Sequence, residues 1–336
     1  MKSSEPSACN LVSIIVLNWN GQSLLDECLS ALSKQTYSPY EVIFVDNGST
    51  DGSVVFVRKN FPWVSICQLS ENRGFSGGNI EGFKECRGEF IALVNNDTRV
   101  DKKWLENLVN PLYENPSTGI CASKLLIEST GKIDSAGDNL TIWGVGFKRG
   151  FGKDRSSYDT QGPVFGACAA ACLYRRKMIE DVGFLDEDFF FNDEDTDLNF
   201  RAQLRGWKCV YVPKAVVYHK VNATIGTRSD RHVYFHVRNL EFLWMKNMPT
   251  GLMVRFAHYK VLQEIGSFAY LCLRHGKWAP FFNGKKDAMR MLPIMLRKRR
   301  EIQKRKTVTN QYIQSLLLPV YSKELICQKV TQFLFG

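Results

Sequence analysis

The amino-acid sequence predicts an α/β protein with a doubly wound, mainly parallel sheet, helices on both faces of that sheet and a helical, basic C-terminal region. Three observations predict this fold. Apolar strand-like runs alternate with amphipathic helical runs up to residue 120, polar residues follow each strand-like run, and positive charge collects after residue 250. With 336 residues, of which 44% are hydrophobic, the chain is long enough to bury a large core.

Four strand–helix pairs are predicted before residue 120. The strand-like runs, in order, are VSIIVLN, EVIFVD, VSICQL and EFIALVNND. The helical runs that follow them are LLDECLSALSKQ, SVVFVRKNF, GGNIEGFKEC and KKWLENLVNPLYE. Open α/β sheets bind ligands beyond the carboxyl ends of their strands, so the residues directly after each strand are the first candidates for chemistry.

Polar side chains follow all four of these strands. They are Asn18 and Asn20, Asp46 and Asn47, Asn72 and Arg73, and Asn96 and Asp97. Loops are polar in most proteins, which explains one or two such strand ends. Four in succession indicate a binding site along one edge of the sheet.

After residue 120 the alternation gives way to a glycine-rich, aromatic stretch, DNLTIWGVGFKRGFG, and to a small-residue strand in PVFGACAAACLYRR. We expect residues 121–249 to form the second half of one domain, 1–249, whose first half is 11–120. Beyond Pro249 the pattern is helical, which predicts a separate helical region at residues 250–336.

The ten cysteines form no CxxC pair, and their wide spacing predicts buried thiols in a reducing compartment and hence a cytoplasmic protein. The N-terminal segment MKSSEPSACN lacks the charged start and the cleavage region of a signal peptide. We therefore expect the chain not to be exported.

Net charge is distributed unevenly. Residues 1–250 contain 28 Lys and Arg against 30 Asp and Glu, whereas residues 251–336 contain 16 against 4, a net charge of +12. Such asymmetry predicts an anionic partner, either nucleic acid or a membrane surface. Because the run RKRREIQKRK lacks regular aromatic interleaving, we expect no nucleic acid and a peripheral contact with the anionic cytosolic face of a membrane.

The charged residues Arg255, Lys260 and Glu264 make residues 251–274 unsuitable as a membrane span. We expect five side chains of this segment to enter the headgroup region instead: Phe256, Tyr259, Phe268, Tyr270 and Leu271. Two alternatives to membrane binding are a helical cap that packs on the preceding domain and a dimer interface. The second alternative would make the protein a homo-oligomer.

Two loops are candidates for nucleotide contacts. Asp46, in VDNGSTDGS, either belongs to a capped turn or accepts hydrogen bonds from a nucleotide base. The glycines of ENRGFSGGNIEG open a helix whose N–H groups attract phosphate, with Arg73 beside a diphosphate, but they could equally permit tight packing. Since this segment matches neither GxxxxGKS/T nor GxGxxG, the sequence argues against a P-loop ATPase and a Rossmann dehydrogenase.

Asp97, in VNNDT, and His219, in VVYH, each end a predicted strand. A single residue of either type is most often an ordinary loop or core residue. Together at the edge of one sheet they predict a site for Mg²⁺ or Mn²⁺, with phosphate oxygens and water completing the coordination shell.

The stretch FFFNDEDTDLNFR places Asp193, Glu194, Asp195 and Asp197 directly after three phenylalanines. Repulsion and desolvation of such carboxylates cost free energy. Either the acids are solvated at the start of a helix, or one of them acts as a general base. Asp197 and Arg201 stand at i and i+4, which indicates a structural ion pair.

Over residues 11–248 the chain resembles an inverting family 2 glycosyltransferase with the GT-A fold. The motifs that carry the resemblance are, in order, VSIIVLNWN, VDNGSTDGS, NRGFSGGN, LVNND, FGACAAACLYRR, FFFNDEDTDLNFR and VVYH. It is most similar to the rhamnosyltransferase branch, in which an EDxDL motif, a strand-ending His and a counterpart of HVYFHVRNLEFLWMKN are found.

The resemblance implies roles for individual residues. Residues implied in nucleotide-sugar binding are Leu17, Trp19, Asp46, Asn47, Arg73 and Asn96. The triplet Asn95–Asn96–Asp97 matches the metal motif DxD with Asn in place of its first acid, which leaves Asp97 and His219 as metal ligands. Asp195 matches the catalytic base, with Glu194 beside it.

The resemblance also implies a function. It indicates a metal-dependent inverting enzyme, with Mg²⁺ or Mn²⁺, that transfers a hexose from a nucleotide diphosphate sugar to a glycan or polyprenyl-linked glycan acceptor. The favoured donor is dTDP-L-rhamnose. The alternatives are a UDP-hexose-dependent enzyme of the same fold and a nucleotide-sugar-binding module without turnover.

Overall fold

The computed structural model describes residues 10–221, 229–320 and 322. The strands are β1 (Val12–Asn18), β2 (Tyr40–Asp46), β3 (Ser65–Gln68), β4 (Phe90–Asn95), β5 (Thr98–Val100), β6 (Thr118–Ile127), β7 (Ile133–Ser135), β8 (Asp138–Thr141), β9 (Gly146–Lys148), β10 (Gly162–Val164), β11 (Ala171–Arg175), β12 (Lys208–His219) and β13 (Leu317–Leu318).

The α-helices are α1 (Gln22–Leu32), α2 (Ser53–Asn60), α3 (Gly74–Glu85), α4 (Trp104–Glu114), α5 (Arg176–Val182), α6 (Glu194–Leu204), α7 (Asp230–Asn247), α8 (Thr250–Phe268), α9 (Trp278–Arg305) and α10 (Asn310–Leu316). Short 3₁₀ turns span Arg155–Tyr158 and Glu187–Phe189, and a π-helical turn spans Ala269–Arg274.

The main sheet is mainly parallel, as the sequence predicts. Its strands follow the order β10-β12-β6-β11-β4-β1-β2-β3, with β5 beside β12 and β7 beside β6. The pairs β1–β2, β1–β4, β2–β3 and β6–β12 are parallel, whereas β11 runs antiparallel between β4 and β6. The carboxyl ends of β1, β2 and β4 therefore meet at one edge.

Helices cover both faces of this sheet. Ile14 of β1 packs in a cluster with side chains of α1, α2 and α4, whereas Ile15 packs in a second cluster with side chains of α3, α5 and α6. Because β1 is buried on both faces, it reads in the sequence as an almost continuous apolar run. The predicted doubly wound architecture is confirmed.

The region after Pro249 packs against the rest of the protein. Phe256 of α8, Ile313 of α10 and Leu317 of β13 share a buried cluster with Phe200 of α6. In addition, β13 pairs with β8 in a small three-stranded sheet with β9. The inner side of this region thus forms a helical cap, one of the alternatives open from the sequence.

This packing corrects the side chains expected to enter a headgroup region. Phe256 is only 6% exposed, and Tyr259 packs against the same cluster. Phe268 and Leu271 pack against a separate cluster that contains Val233 of α7. Of the five predicted side chains, only Tyr270 belongs to the exposed large hydrophobic residues.

In the part of the chain that the structure describes, no helix combines the length and the apolar character that a membrane span requires. The eight cysteines in that part are free thiols, of which six are buried and two are half-buried. The prediction of buried thiols holds for them, and Cys9 and Cys327 lie outside the described residues.

Candidate active site

Polar side chains at the ends of β1, β2 and β4 lie side by side. Asn18 is level with Asp46 in the register of β1 and β2. The Asn96 amide donates to Asn18 Oδ1 over 2.7 Å, and the Asn18 amide donates to Ser53 Oγ over 3.0 Å. The structure therefore brings the predicted strand-end residues together, but it directs the Asn96 amide to another side chain.

Asp46 is fully buried and keeps one acceptor atom available. Its Oδ2 accepts the backbone N–H of Ser49 over 3.2 Å, while its Oδ1 accepts no hydrogen bond from the described residues. A buried carboxylate oxygen without a donor costs free energy, and such atoms occur where a ligand supplies the donor. The geometry suits a carboxylate that binds an N–H group of a nucleotide base.

The glycine-rich loop is engaged by protein atoms. Gly74 adopts a φ of +72°, and a Cβ there would lie 2.4 Å from the Phe190 carbonyl oxygen. That oxygen accepts the Phe75 N–H over 2.7 Å and lies 3.3 Å from the Ser76 nitrogen, so the first turn of α3 has a protein partner. Of the two readings left open by the sequence, tight packing describes this segment.

Asn47 and Leu17 help to place that loop. The Asn47 Oδ1 accepts the Arg73 N–H over 2.9 Å, and its amide donates to the Gly74 carbonyl over 3.0 Å. A Cβ on Gly78 would lie 2.4 Å from Leu17 Cδ1, so only glycine allows α3 to approach β1 this closely. Both residues thus position the loop beside Asp46.

Arg73 directs its guanidinium away from the strand ends. It pairs with Glu81 and, over 3.5 Å, with Glu187. These residues line a groove of about 710 Å³ that also contains Lys298 of α9 and does not include the strand-end residues. The cation beside the predicted nucleoside pocket is Arg231 of α7, 5.8 Å from the Trp19 ring, and sequence reasoning missed it.

Asp97 and His219 face each other. Pairing of β5 with β12 sets His219 opposite Thr98, and His219 Nε2 lies 3.4 Å from Asp97 Oδ1. The other ring nitrogen, Nδ1, contacts Asp134 Oδ2 over 2.8 Å. Burial lowers the pKa of His219, but the hydrogen bonds to Asp134 and Asp97 outweigh it and raise the pKa to about 9.

Asp134 is a functional candidate that sequence reasoning missed. It is fully buried and pairs with Lys148 over 2.7 Å as well as with His219. Burial raises the pKa of Asp134, but Lys148 and His219 together bring it down to about 2. A carboxylate that orients a metal-binding imidazole in this way is a common supporting feature of metal sites. Its only sequence signal is an acid within an apolar strand, IDS.

Asp195 lies next to the triplet Asn95–Asn96–Asp97. Its Oδ2 accepts the Ala169 N–H over 3.0 Å, and the neighbouring Ala170 carbonyl accepts the Asn95 N–H over 2.8 Å. Its Oδ1 accepts the Thr196 N–H over 2.7 Å in the first turn of α6. One short segment before β11 therefore joins the predicted base to the predicted metal motif.

Asp195 and Asp138 form a close carboxylate pair. Their oxygens and Cys168 Sγ lie within 4.8 Å of one another. Burial and then the charge of Asp195 raise the pKa of Asp138 to about 8. Burial and Asp193 also raise the pKa of Asp195, against two backbone N–H donors and Lys148. A proton in this pair is therefore favoured on Asp138, and the raised pKa of Asp195 is the direction that a general base needs.

Glu194 differs from its neighbour. It is 6% exposed, and its Oε2 accepts no hydrogen bond from the described residues. Burial and the charge of Asp195 raise its pKa well above the usual range. Burial and the neighbouring Asp195 therefore favour the protonated form of Glu194.

We expect Asp138→Asn to stabilise the protein, and the gain to grow as pH rises from about 4 to about 8. A carboxyl whose pKa is raised in the folded state holds a proton that the unfolded chain releases, so its contribution to stability falls with pH over this window. The amide has the shape of the protonated carboxyl but cannot ionise. Urea unfolding of both proteins across this range measures the difference. A variant less stable than wild type at every pH would show that Asp138 is ionised and binds Lys148.

The loop before α6 is held in an unusual backbone conformation. Phe190, Asn192 and Asp193 have φ values of 61°, 68° and 64°, which cost free energy in residues other than glycine. The Asn239 amide of α7 donates to the carbonyls of Phe189, Phe191 and Asn192 over 2.7–3.0 Å. Helix α7 thereby fixes the loop that delivers Asp195, a role without a local sequence signal.

Asp197 is structural, as its spacing from Arg201 predicts. It binds Arg201 over 2.8 Å, Lys246 over 2.9 Å and Asn247 over 2.7 Å. Since all these partners are buried, the network anchors α6 to α7 and leaves Asp197 no capacity to act on a substrate.

Similarity to known proteins agrees with this geometry. The family model described as Glycosyl transferase family 2 matches residues 13–183. Poly-beta-1,6-N-acetyl-D-glucosamine synthase of Staphylococcus aureus is 22% identical over 256 residues. That match covers 75% of this chain and 60% of the synthase, so the chain spans about 60% of the length of these curated relatives.

Two solved structures share the fold. GalNAc-T7 with UDP, GalNAc and Mn²⁺ superposes with a TM-score of 0.62 at 12% identity, covering 96% of this chain and 57% of that one. Staphylococcus aureus TarS in complex with UDP superposes with a TM-score of 0.56 at 16% identity, covering 90% and 91%. At these identities the likeness shows the GT-A fold and nothing finer.

Proposed function

Since the chain belongs to glycosyl transferase family 2, we propose that it transfers a hexose with inversion from a nucleotide diphosphate sugar to a hydroxyl of a glycan or lipid-linked glycan. The observation that carries this proposal is the position of Asp195, one hydrogen-bonded segment away from Asn95. This position supports the assignment of Asp195 as a general base beside the donor.

The donor is bound, in this proposal, at the ends of β1, β2 and β4. Leu17 and Trp19 line the nucleoside pocket, and Asp46 Oδ1 accepts the N–H edge of a pyrimidine. Asn47 shapes the neighbouring loop, and Asn96 holds the end of β1 through Asn18. These roles are supported by burial and by the acceptor atom left open on Asp46.

For the sugar donor we favour dTDP-L-rhamnose, because the motifs resemble the rhamnosyltransferase branch. A UDP-hexose is the alternative, since the two superposed structures contain UDP. Thymine and uracil present the same N3–H group, so Asp46 accepts either.

From the sequence we expected the positive charge of Arg73 to contact the diphosphate. To contact the diphosphate, the Arg73 guanidinium would have to break its ion pairs with Glu81 and Glu187. Arg231 lies beside Trp19 without such a rearrangement, so we include it in the proposed donor site.

Asp97 and His219 fit a divalent cation, Mg²⁺ or Mn²⁺. Their Oδ1 and Nε2 atoms are 3.4 Å apart, and Asp97 Oδ1 has no other hydrogen-bond donor among the described residues. Asp134 orients the imidazole from behind. Such an ion would stabilise the negative charge of the leaving diphosphate as a Lewis acid. The cluster of Asp138, Cys168 and Asp195 fits less well, because Lys148 already supplies positive charge there.

The proposed reaction is a single displacement. The acceptor oxygen forms a bond to the anomeric carbon as the bond between that carbon and the diphosphate oxygen breaks. The proton of the acceptor hydroxyl moves to Asp195. The Ala169 and Thr196 N–H groups hold the Asp195 carboxylate while it does so. Because the sugar carries positive charge in a transition state that resembles an oxocarbenium ion, negative charge on the nearby Asp195 favours that transition state.

The acceptor assignment follows the same resemblance, whereas the location follows from the cysteine pattern and the basic C-terminal region. We propose a glycan or polyprenyl-linked acceptor, residues 1–249 as the catalytic domain and residues 250–336 as a region that associates peripherally with an anionic membrane surface on the cytosolic side. A region of net charge +12 supports that association.

A panel of nucleotide sugars tests the proposal. Purified protein is incubated with dTDP-rhamnose, UDP-hexoses or GDP-mannose and with Mg²⁺ or Mn²⁺, and release of nucleoside diphosphate is measured with and without glycan acceptors. We expect release from a thymidine or uridine donor. Donor binding by calorimetry without release from any donor would favour the non-catalytic binding module instead.

A further inference from the structure

Apolar side chains are exposed on one part of the C-terminal cap. Of the large hydrophobic residues exposed in the described part of the chain, most lie between Val254 and Met289. We define the α8–α9 surface by six of them: Val261, Leu262, Ile265, Leu273, Trp278 and Phe282. Single exposed apolar residues are common, but a group of this kind marks an interaction site.

Helix α8 has two different apolar sides. Leu252 and Phe256 are buried against the protein, whereas Val261, Leu262 and Ile265 are 57%, 61% and 59% exposed. Lys260, on the inner side, is buried with Glu241 and Glu264. The outer side is therefore not required for the packing of the cap.

Aromatic rings shape the corner between α8 and α9. Trp278 stacks on Phe282 with ring centroids 6.3 Å apart, and Phe268 packs edge-on against both rings. The half-buried ring of Phe268 therefore holds the exposed rings of Trp278 and Phe282 in place. Trp and Phe side chains in such a setting suit the boundary between headgroups and acyl chains.

The charges around the α8–α9 surface are mainly positive. Lys286 and Arg290 are exposed on α9, and Arg255 is exposed on α8. The acids of these two helices nearby are engaged. Glu264 binds Lys260 over 2.6 Å, and Asp287 accepts the Tyr234 hydroxyl over 2.6 Å and pairs with Arg290 over 3.3 Å. Two copies of such a surface would repel each other, whereas anionic headgroups would complement it.

We propose that the α8–α9 surface is the membrane-docking face of this protein and that anionic phospholipid is its occupant. The proposal rests on the membrane association proposed above and specifies where it occurs. The side chains that enter the headgroup region are those on the outer side of α8 and at its corner with α9, and the inner side remains a cap. Docking would hold the active site close to an acceptor whose lipid lies in the same membrane.

Vesicle flotation of the full chain tests this proposal. One set of vesicles contains phosphatidylcholine alone and the other also contains phosphatidylglycerol. The wild type should float with the anionic vesicles and lose this binding in high salt. We expect Val261→Ser/Leu262→Ser/Ile265→Ser to lower the partition constant by about tenfold or more, because three apolar side chains no longer enter the interface. Lys286→Gln/Arg290→Gln should lower it about fivefold for each charge removed.

Matched controls lie on α2, far from this surface in the sequence and in the sheet. Val55→Ser replaces another exposed valine, and Arg58→Gln/Lys59→Gln removes another exposed basic pair. Both controls should float like the wild type. Thermal unfolding of each variant shows whether it is folded.

Three outcomes would overturn the proposal: no flotation of the wild type, equal flotation of the α8–α9 variants and their controls, or a dimer in solution that the triple variant dissociates. The last would make a second copy of the chain the occupant. Flotation needs neither donor nor acceptor, so its result is independent of the nucleotide-sugar panel. A protein that transfers sugar and does not float would retain the proposed reaction and lose only the docking face.

Discussion

Asp195→Asn is expected to lower glycosyl transfer by about 10²–10⁴-fold, the usual contribution of a general base, while donor affinity changes little. The amide keeps the shape of the carboxylate and can accept one of the two N–H groups of Ala169 and Thr196 through its oxygen, but it cannot take the proton of the acceptor hydroxyl. Nucleoside diphosphate release measures transfer, and calorimetric titration with the nucleoside diphosphate measures binding.

Glu194→Gln is the matched control for this experiment. Burial and Asp195 raise the pKa of Glu194 well above its usual range and so favour its protonated form. We therefore expect the neutral amide to leave transfer within a few-fold of wild type. If instead Glu194→Gln is inactive and Asp195→Asn is active, the base is Glu194. A loss of donor affinity in Asp195→Asn would place the cluster on the metal side of the site.

Removal of the divalent cation is expected to abolish transfer, and Asp97→Ala and His219→Ala should each weaken both cation and donor binding. Asn95 has no charge, so Asp97 is the only carboxylate of the triplet, and each ligand lost leaves the diphosphate charge less neutralised. Asp134→Asn, which removes the carboxylate that holds His219 and pairs with Lys148, should lower cation affinity by about 10–100-fold. Calorimetric titration with Mn²⁺, with and without nucleoside diphosphate, measures these effects.

The variant Asp46→Asn distinguishes donor binding from cation binding. It should weaken nucleoside diphosphate binding through the lost acceptor on Oδ1 and leave Mn²⁺ binding in the absence of nucleotide unchanged.

Full transfer activity in excess chelator would exclude the metal assignment. The positive charge at the diphosphate would then have to come from side chains such as Arg231.

Much of the fold can be predicted because its signals are local. The alternation of apolar runs with amphipathic helices predicts β1–β4 and α1–α4, and the i, i+4 spacing predicts the pair of Asp197 and Arg201. Both depend on neighbours within a few turns of chain. The strand-end candidates follow as well, since parallel strands place their carboxyl ends at one edge whatever their order in the sheet.

Other parts of the site could not be predicted because their partners are distant in sequence. Asp134 lies 85 residues before His219, and Asn239 lies 47 residues after the Asn192 carbonyl that it binds. Nothing in their own segments signals these contacts. Arg73 shows a different case: its sequence position predicts a diphosphate contact, but its guanidinium pairs with Glu81 of α3 and, over 3.5 Å, with Glu187.

The sequence by itself determined the alternating architecture, the strand-end donor candidates and the carboxylate cluster, because each depends on composition and spacing along a short stretch. The order of the carboxyl pKa values and the exposed side of α8 follow only from the tertiary structure. Ionisation depends on burial and on charges that different elements bring together, as with Asp138 and Asp195. Exposure depends on what packs nearby, and α8 has apolar residues on two sides, of which the fold buries the side with Phe256 and leaves Ile265 in contact with solvent.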